Sequence, residues 1–177
     1  MHPVFVKLGR RASGLALALL AACNPTFNWR EARLDETPLV ALLPCKPDRG
    51  TRTVPLGGEQ VEMRMMGCET GGVSFTVAVV PLADAARAAA MLAPWRSATL
   101  ANFAAAQPTQ QPFRPKGGQP VPDAQRLSAN GKQAEGRAVV VQAAWFVRGN
   151  QAFQALAYGE ALSAEVADSF FAGIALQ

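Results

Sequence analysis

The sequence predicts an α+β fold: an antiparallel β-sheet with helices packed on it. Three observations predict this. Residues 52–80 hold strand-like segments separated by glycine pairs, and strands joined by tight turns run antiparallel. Residues 82–106 are rich in alanine and leucine, the composition of a helix. The last third returns to a long apolar strand and closes on a stripe at helical spacing. Runs of strands followed by helices mark α+β architecture, whereas regular alternation would mark a parallel sheet.

The first strand is the short apolar run Leu39 to Leu43, stopped by Pro44 and Pro47 around Cys45. Arg52 to Leu56 and Glu59 to Gly67 are two arms of a hairpin turned by Gly57-Gly58. In the second arm Val61, Met63 and Met65 alternate with Glu62 and Arg64, the pattern of a half-buried strand. Cys68 stands at its end. Gly71-Gly72 turns the chain into Val73 to Val80, where Val73, Phe75, Val77 and Val79 share one face and Ser74, Thr76, Ala78 and Val80 the other. These strands form a meander.

Leu82 to Ala106 is helical by propensity, with Asp84 at its start. Pro94 either kinks one helix or opens a second at its first position. An alanine-rich helix packs closely and leaves little room for a deep pocket. Residues 107–122 contain five prolines, Gly117-Gly118 and four glutamines. They read as an exposed spacer loop, so removing Gln110 to Gln119 is expected to leave the fold intact. Leu127 to Glu135 is a weak strand or a hairpin around Asn130-Gly131. Arg137 to Val147 is apolar on both faces, as a central covered strand requires. Arg148-Gly149-Asn150 turns it into Gln151 to Tyr158. Ser163 caps a last helix with Glu165 in its first turn, and Val166, Ala167, Phe170, Phe171 and Ile174 form its apolar stripe.

The N-terminus carries a different signal. Lys7, Arg10 and Arg11 precede a short uncharged stretch, Leu15 to Ala22, too short to span a bilayer. It closes on Leu20-Ala21-Ala22-Cys23, the pattern of a bacterial lipobox: a leucine, two small residues that pass the peptidase cleft, and a cysteine whose thiol takes the diacylglycerol. The expected organisation is therefore a lipoprotein signal peptide at 1–22, a lipidated segment at 23–38 and one domain at 39–177. Cys23 would hold the protein on the membrane, facing the periplasm. Asn24 stands where enteric inner-membrane lipoproteins carry Asp, so the outer membrane is expected over the inner. Within 23–38, Phe27 and Trp29 beside Arg30 and Arg33 suit a lipid headgroup region. The two acids Glu31 and Asp35 favour instead a Trp29 that folds back over one edge of the domain.

Removing residues 1–22 leaves 155 residues, enough for one domain with a core. The chain has 17 basic and 13 acidic residues; three basic and no acidic ones leave with the signal, so the remainder has net charge +1. Its basic pI belongs largely to the signal, and no nucleic-acid partner is expected. The one histidine, His2, lies in the signal. That excludes Ser-His-Asp and Cys-His catalysis and any histidine-ligated metal. Cys45 and Cys68, an even pair in an oxidising compartment, read as a disulfide. No metal or other cofactor is implied. Lys46, Lys116 and Lys132 stand in no SxxK motif, and Glu59 with Glu62, or Glu160 with Glu165, read as solubilising charges. No catalytic residue is assigned.

Three stretches resemble a known superfamily. Leu43-Pro44-Cys45-Lys46-Pro47 is similar to its strand-proline entry. Ala144 to Leu156 resembles its paired late strands around a glycine-asparagine turn. Asp168-Ser169-Phe170-Phe171-Ala172-Gly173-Ile174 resembles its terminal helix with a double aromatic. The superfamily is the compact α/β/α sandwich of the photosystem II PsbP subunit and of small bacterial lipoproteins. The resemblance implies a non-catalytic docking or accessory subunit working on an unknown envelope protein. A small apolar ligand or lipid is the alternative, since Met63, Met65, Met66 and Met91 offer soft surface. A histidine-independent hydrolase comes third.

Overall fold

The computed structural model describes residues 26–177. His2, the lipobox and Cys23 lie outside the described residues. The strands in chain order are β1 (Arg30–Arg33), β2 (Leu39–Leu43), β3 (Asp48–Leu56), β4 (Glu59–Thr70) and β5 (Val73–Pro81), then helix α1 (Ala85–Asn102). They continue with β6 (Ala106–Pro112), β7 (Gln125–Lys132), β8 (Ala138–Arg148) and β9 (Gln151–Gly159). Helix α2 (Ala164–Ala172) and the short β10 (Ala175–Leu176) end the chain. The fold is α+β, with antiparallel sheets and both helices packed on them.

The main sheet has seven strands in the order β3-β4-β5-β9-β8-β7-β6. The period-two pattern read from residues 73–80 is what divides the core. Val73, Phe75, Val77 and Val79 point to one side, where they meet Phe146, Phe153, Phe170 and Phe171. Ala78 and Val80 point to the other, where they meet Leu92, Trp95, Trp145 and Val147. Helix α1 covers this second face. Helix α2 and a small sheet, ordered β1-β2-β10, cover the first. Phe75, Phe146, Phe153 and Phe170 are fully buried, and each contributes roughly 1.5–3 kcal/mol by leaving water.

The Cys45–Cys68 disulfide is present, with Cα atoms 5.9 Å apart. Cys45 follows β2 and Cys68 lies in β4, so the bond joins the small sheet to the main one. The two strands belong to different layers, because Pro44 and Pro47 carry the chain from one sheet to the other. Breaking the bond with Cys45→Ala plus Cys68→Ala is expected to cost about 3 kcal/mol through the entropy of the opened loop. For a domain of this size that is a fall of roughly 6–12 °C in Tm. Melting curves with and without reductant measure it, and thiol labelling of denatured, unreduced protein should find neither cysteine free. Labelled thiols in protein isolated without reductant would refute the bond.

Four sequence expectations change. Residues 30–33, inside the segment read as linker, form β1 and pair with β2 from Arg30↔Leu43 to Arg33↔Val40. Trp29, in keeping with the sequence reading, folds back, its ring edge-on to Phe75 at 6.3 Å. Helix α1 is single, with Pro94 inside it, and it stops at Asn102 although alanine continues to 106. Ala104 takes a left-handed backbone (φ 45), its N–H bonds to Ala101 O and that of Ala105 to Leu100 O. Pairing of Ala106 with Asn130 then draws the rest into β6, overriding alanine's propensity.

Asn130-Gly131 is not a turn. Strand β7 runs straight through it, and Gly131 is needed because a Cβ there would strike the Phe103 carbonyl. The turn lies at Gln133–Gly136, where Gly136 N donates to Gln133 O.

The 107–122 segment is not a spacer loop. Its first part is the edge strand β6, where Pro108 and Pro112 need no ladder bond on the open side. Its second part is strapped down. The Phe113 ring lies 5.8 Å from Phe146 and 6.0 Å from Phe171. Lys116 O accepts from Leu176 N, Gln119 N donates to Val147 O, and Gln119 Oε1 accepts from Gly149 N. Gly117 (φ 78) passes so close to Leu176 O that no other residue fits.

Candidate functional site

A concave surface with a largely apolar lining lies on the α1 side of the main sheet. It is a groove of about 430 Å³, in the size range of small-ligand sites. Three elements build it. The floor is the α1-facing row of β5 and β9: Thr76, Ala78, Gln154, Leu156 and Tyr158. One wall is the last half of α1, with Trp95, Ala98, Thr99, Asn102 and Phe103. The other is the β3–β4 hairpin, with Val54, Leu56, Met63 and Met65.

Helix α1 cannot close on the hairpin along its whole length. Beyond Trp95 its sheet-facing positions shrink to Ala98 and Thr99, which cannot fill the distance to β4. At the level of Met65 the outer strand offers only Gly50, and nothing lies within 4 Å of where its Cβ would be. A small-residue helix therefore leaves the space it was expected to remove. Two methionines fill part of it. Met63 and Met65 line the groove half-buried, whereas Met66 (0 % exposed) and Met91 (6 %) are core.

Six polar residues line the groove, and two of them, Gln154 and Thr99, are buried. Gln154 and Thr99 are 7 % and 6 % exposed and satisfy each other, Gln154 Nε2 donating to Thr99 Oγ1 at 2.7 Å. Thr99 Oγ1 donates in turn to Trp95 O at 2.9 Å. Tyr158 lies against the Phe103 ring at 4.8 Å. Arg52 is exposed on the hairpin, and its Nη2 donates to Met65 Sδ at 3.4 Å. Arg52 and Tyr158 are the ionisable residues of the lining, which contains no carboxylate.

The far end is closed. Glycine at 57 allows the hairpin tip to bend onto α1, where its Cβ position lies 3.1 Å from Met91 Sδ and 3.7 Å from Pro94 Cβ. Arg87 Nη2 donates to both Glu59 carboxylate oxygens at 2.6 Å, tying the tip to the first turns of α1. That hydrogen bond and the Glu59 charge raise the Arg87 pKa above its usual value.

The groove collects residues the sequence had not joined. Cys23 is outside the described residues, and Cys45 and Cys68 are bonded on the opposite side of the sheet. Glu59 is held by Arg87, while Glu62 is exposed. Glu160 lies 3.9 Å from Arg137, and Glu165 is exposed in the first turn of α2. Lys46, Lys116 and Lys132 are exposed. Sequence reasoning reached Met63 and Met65 but missed Tyr158, Gln154 and Thr99. The signal available for Gln154 was an amide inside the apolar run Ala152 to Ala157.

A second cluster is structural. Arg126 donates to Gln142 Oε1 (2.6 Å) and Asp168 (2.8 Å) and lies 4.2 Å over the Phe171 ring, pinning α2 to the sheet. Among the described residues no group of three His, Cys, Asp or Glu is placed to hold a metal ion. Comparison with protein-family models, curated proteins and solved structures finds no match. The class is thus defined by architecture alone: a three-layer α+β domain with an apolar groove between one helix and a hairpin.

Proposed function

We propose that the chain is a lipid-anchored protein of the cell envelope, held at Cys23 and facing the periplasm, that acts by binding and not by turnover. The observation that carries this reading is the groove lining. Its walls are apolar, its buried polar pair is mutually satisfied, and its ionisable groups are one cation and one phenol. Proton transfer needs a positioned acid or base within hydrogen-bond reach of the reacting group. Such a lining suits retention of an apolar molecule, so the groove favours an apolar ligand or lipid over a protein partner.

A second reading is a docking or accessory subunit, in the manner implied by the resemblance to PsbP-like sandwiches. The order of layers supports it: helix, main sheet, then helix with a small sheet. Purified lipidated chain is expected to leave peptidoglycan, phospholipid and phosphoester substrates intact. Hydrolysis of any of them, abolished by a single Glu or Ser substitution in a chain that still folds, would overturn the binding reading.

A further inference from the structure

We propose that the groove takes one acyl chain of a bilayer phospholipid, entering from the end of the molecule that the tether holds against the membrane. The proposal rests on the membrane-anchored binding reading above and names its ligand.

The tether fixes which end faces the bilayer. Thr26 is three residues beyond Cys23, a reach of at most about 11 Å. It is fastened to the β4–β5 turn: Thr70 Oγ1 donates to Thr26 O at 2.6 Å, and Thr26 and Phe27 pack against Gly71. The Gly71–Gly72 turn is therefore the membrane-proximal end of the main sheet.

The groove begins just above that turn. Tyr158 pairs with Ser74, two residues from Gly72, a rise of about 7 Å. The Phe103 ring on Tyr158 and the end of α1 at Asn102 frame this lower mouth. From there the groove runs away from the membrane past Ala78 and Met65, which pair, to Met63 two residues further along β4. Six residues of strand, from the level of Ser74 to that of Val80, span about 20 Å. One leaflet of a bilayer has about 15 Å of hydrocarbon, half of roughly 30 Å. The hairpin tip on Met91 and Pro94 closes the far end. An apolar slot about 20 Å long, longer than the roughly 15 Å of hydrocarbon in one leaflet and with its mouth toward the bilayer, accommodates a single acyl chain.

The chemistry of the lining separates this ligand from others. A peptide brings backbone donors and acceptors that need partners, and the Thr99 hydroxyl is already engaged with Gln154 Nε2 and Trp95 O. A cationic ligand finds no carboxylate. An acyl chain needs only apolar walls that adapt to its bends, which half-buried methionines supply. Its polar head would remain at the mouth, beside the Tyr158 hydroxyl and Asn102. Arg52, lying over Met65 from the open side, covers the slot with its aliphatic stem.

The test uses full-length lipidated chain in phosphatidylethanolamine–phosphatidylglycerol vesicles doped with a phospholipid carrying a diazirine on one acyl chain. After irradiation, adducts are expected on the β4 peptide holding Met63 and Met65 and on the α1 peptide holding Trp95 to Phe103. Ala98→Trp, which fills the slot from an already half-buried position, should lower these adducts by about tenfold, or roughly 1.4 kcal/mol of binding. Gln111→Trp adds the same bulk on exposed β6 and should leave them unchanged. Both variants are checked for an unchanged melting transition, and Met65→Lys, a charge in the wall, serves if Ala98→Trp does not fold. Adducts confined to Thr26–Phe27, or insensitive to these groove substitutions, overturn the proposal. So does a groove adduct formed only when the photolabel is built into the Cys23 acyl chains, or a label at Met65 that captures a protein in place of lipid. None of these outcomes bears on turnover, so the binding reading stands or falls separately.

Discussion

A Cys23→Ser chain is expected to lose globomycin-sensitive processing and to leave the membrane fraction after a mild salt wash. The reason is the size of the anchor. Each buried CH₂ contributes about 0.8 kcal/mol, and one myristoyl-length chain holds only marginally, whereas two or three hold firmly. Among the described residues no helix is long and apolar enough to cross a membrane. Phe27 is only half-buried but packs at the Gly71 turn, and Trp29 is committed to Phe75, so the aromatics of the tether segment are largely used inside the domain. The expected change is from wholly sedimenting to wholly soluble. A native protein that carries no lipid and still resists the salt wash would refute the anchor, and with it the orientation that gives the groove its mouth.

Deletion of Gln110 to Gln119 is expected to prevent folding, the reverse of what its composition suggests. The deletion removes half of β6 and with it the pairs Gln110↔Leu127 to Pro112↔Gln125. It removes the Phe113 ring from between Phe146 and Phe171. It also removes the Lys116 carbonyl that holds Leu176 N and the Gln119 groups that hold Val147 and Gly149. Loss of a large aromatic from a core costs about 3 kcal/mol or more, and each lost net hydrogen bond about 1 kcal/mol. Together these approach the whole stability of a typical domain, about 5–15 kcal/mol. The deleted chain should show no cooperative melting transition, while Phe113→Ala alone should melt roughly 6–12 °C lower, in proportion to its smaller loss. A deletion that melts within a few degrees of the intact chain would restore the spacer.

The sequence alone determined the parts whose burial repeats locally. The alternation in 73–80 gives β5 and its two faces, the doubly apolar run gives β8, the stripe at 166–174 gives α2, and an even cysteine count in an oxidising compartment gives the disulfide. In each case one residue's neighbours along the chain report how deeply it is buried, and that is all periodicity can report. Tertiary structure decided what each face meets. Strands β1 and β6 are mostly polar and sit at sheet edges; backbone bonds to one neighbour hold them, and those leave little apolar pattern to read. Asn130-Gly131 has the composition of a turn, yet Gly131, like the Gly117 of a real turn, is there because another backbone passes where a side chain would stand. Cys45 and Cys68 join two layers rather than two neighbouring strands, because pairing in a sheet depends on which strand arrives from elsewhere in the chain. The groove belongs wholly to this second category. Ala98 and Gly50 are small, and smallness along the chain does not say whether the space beside it is filled; only the bend of the β3–β4 hairpin onto α1 leaves it open.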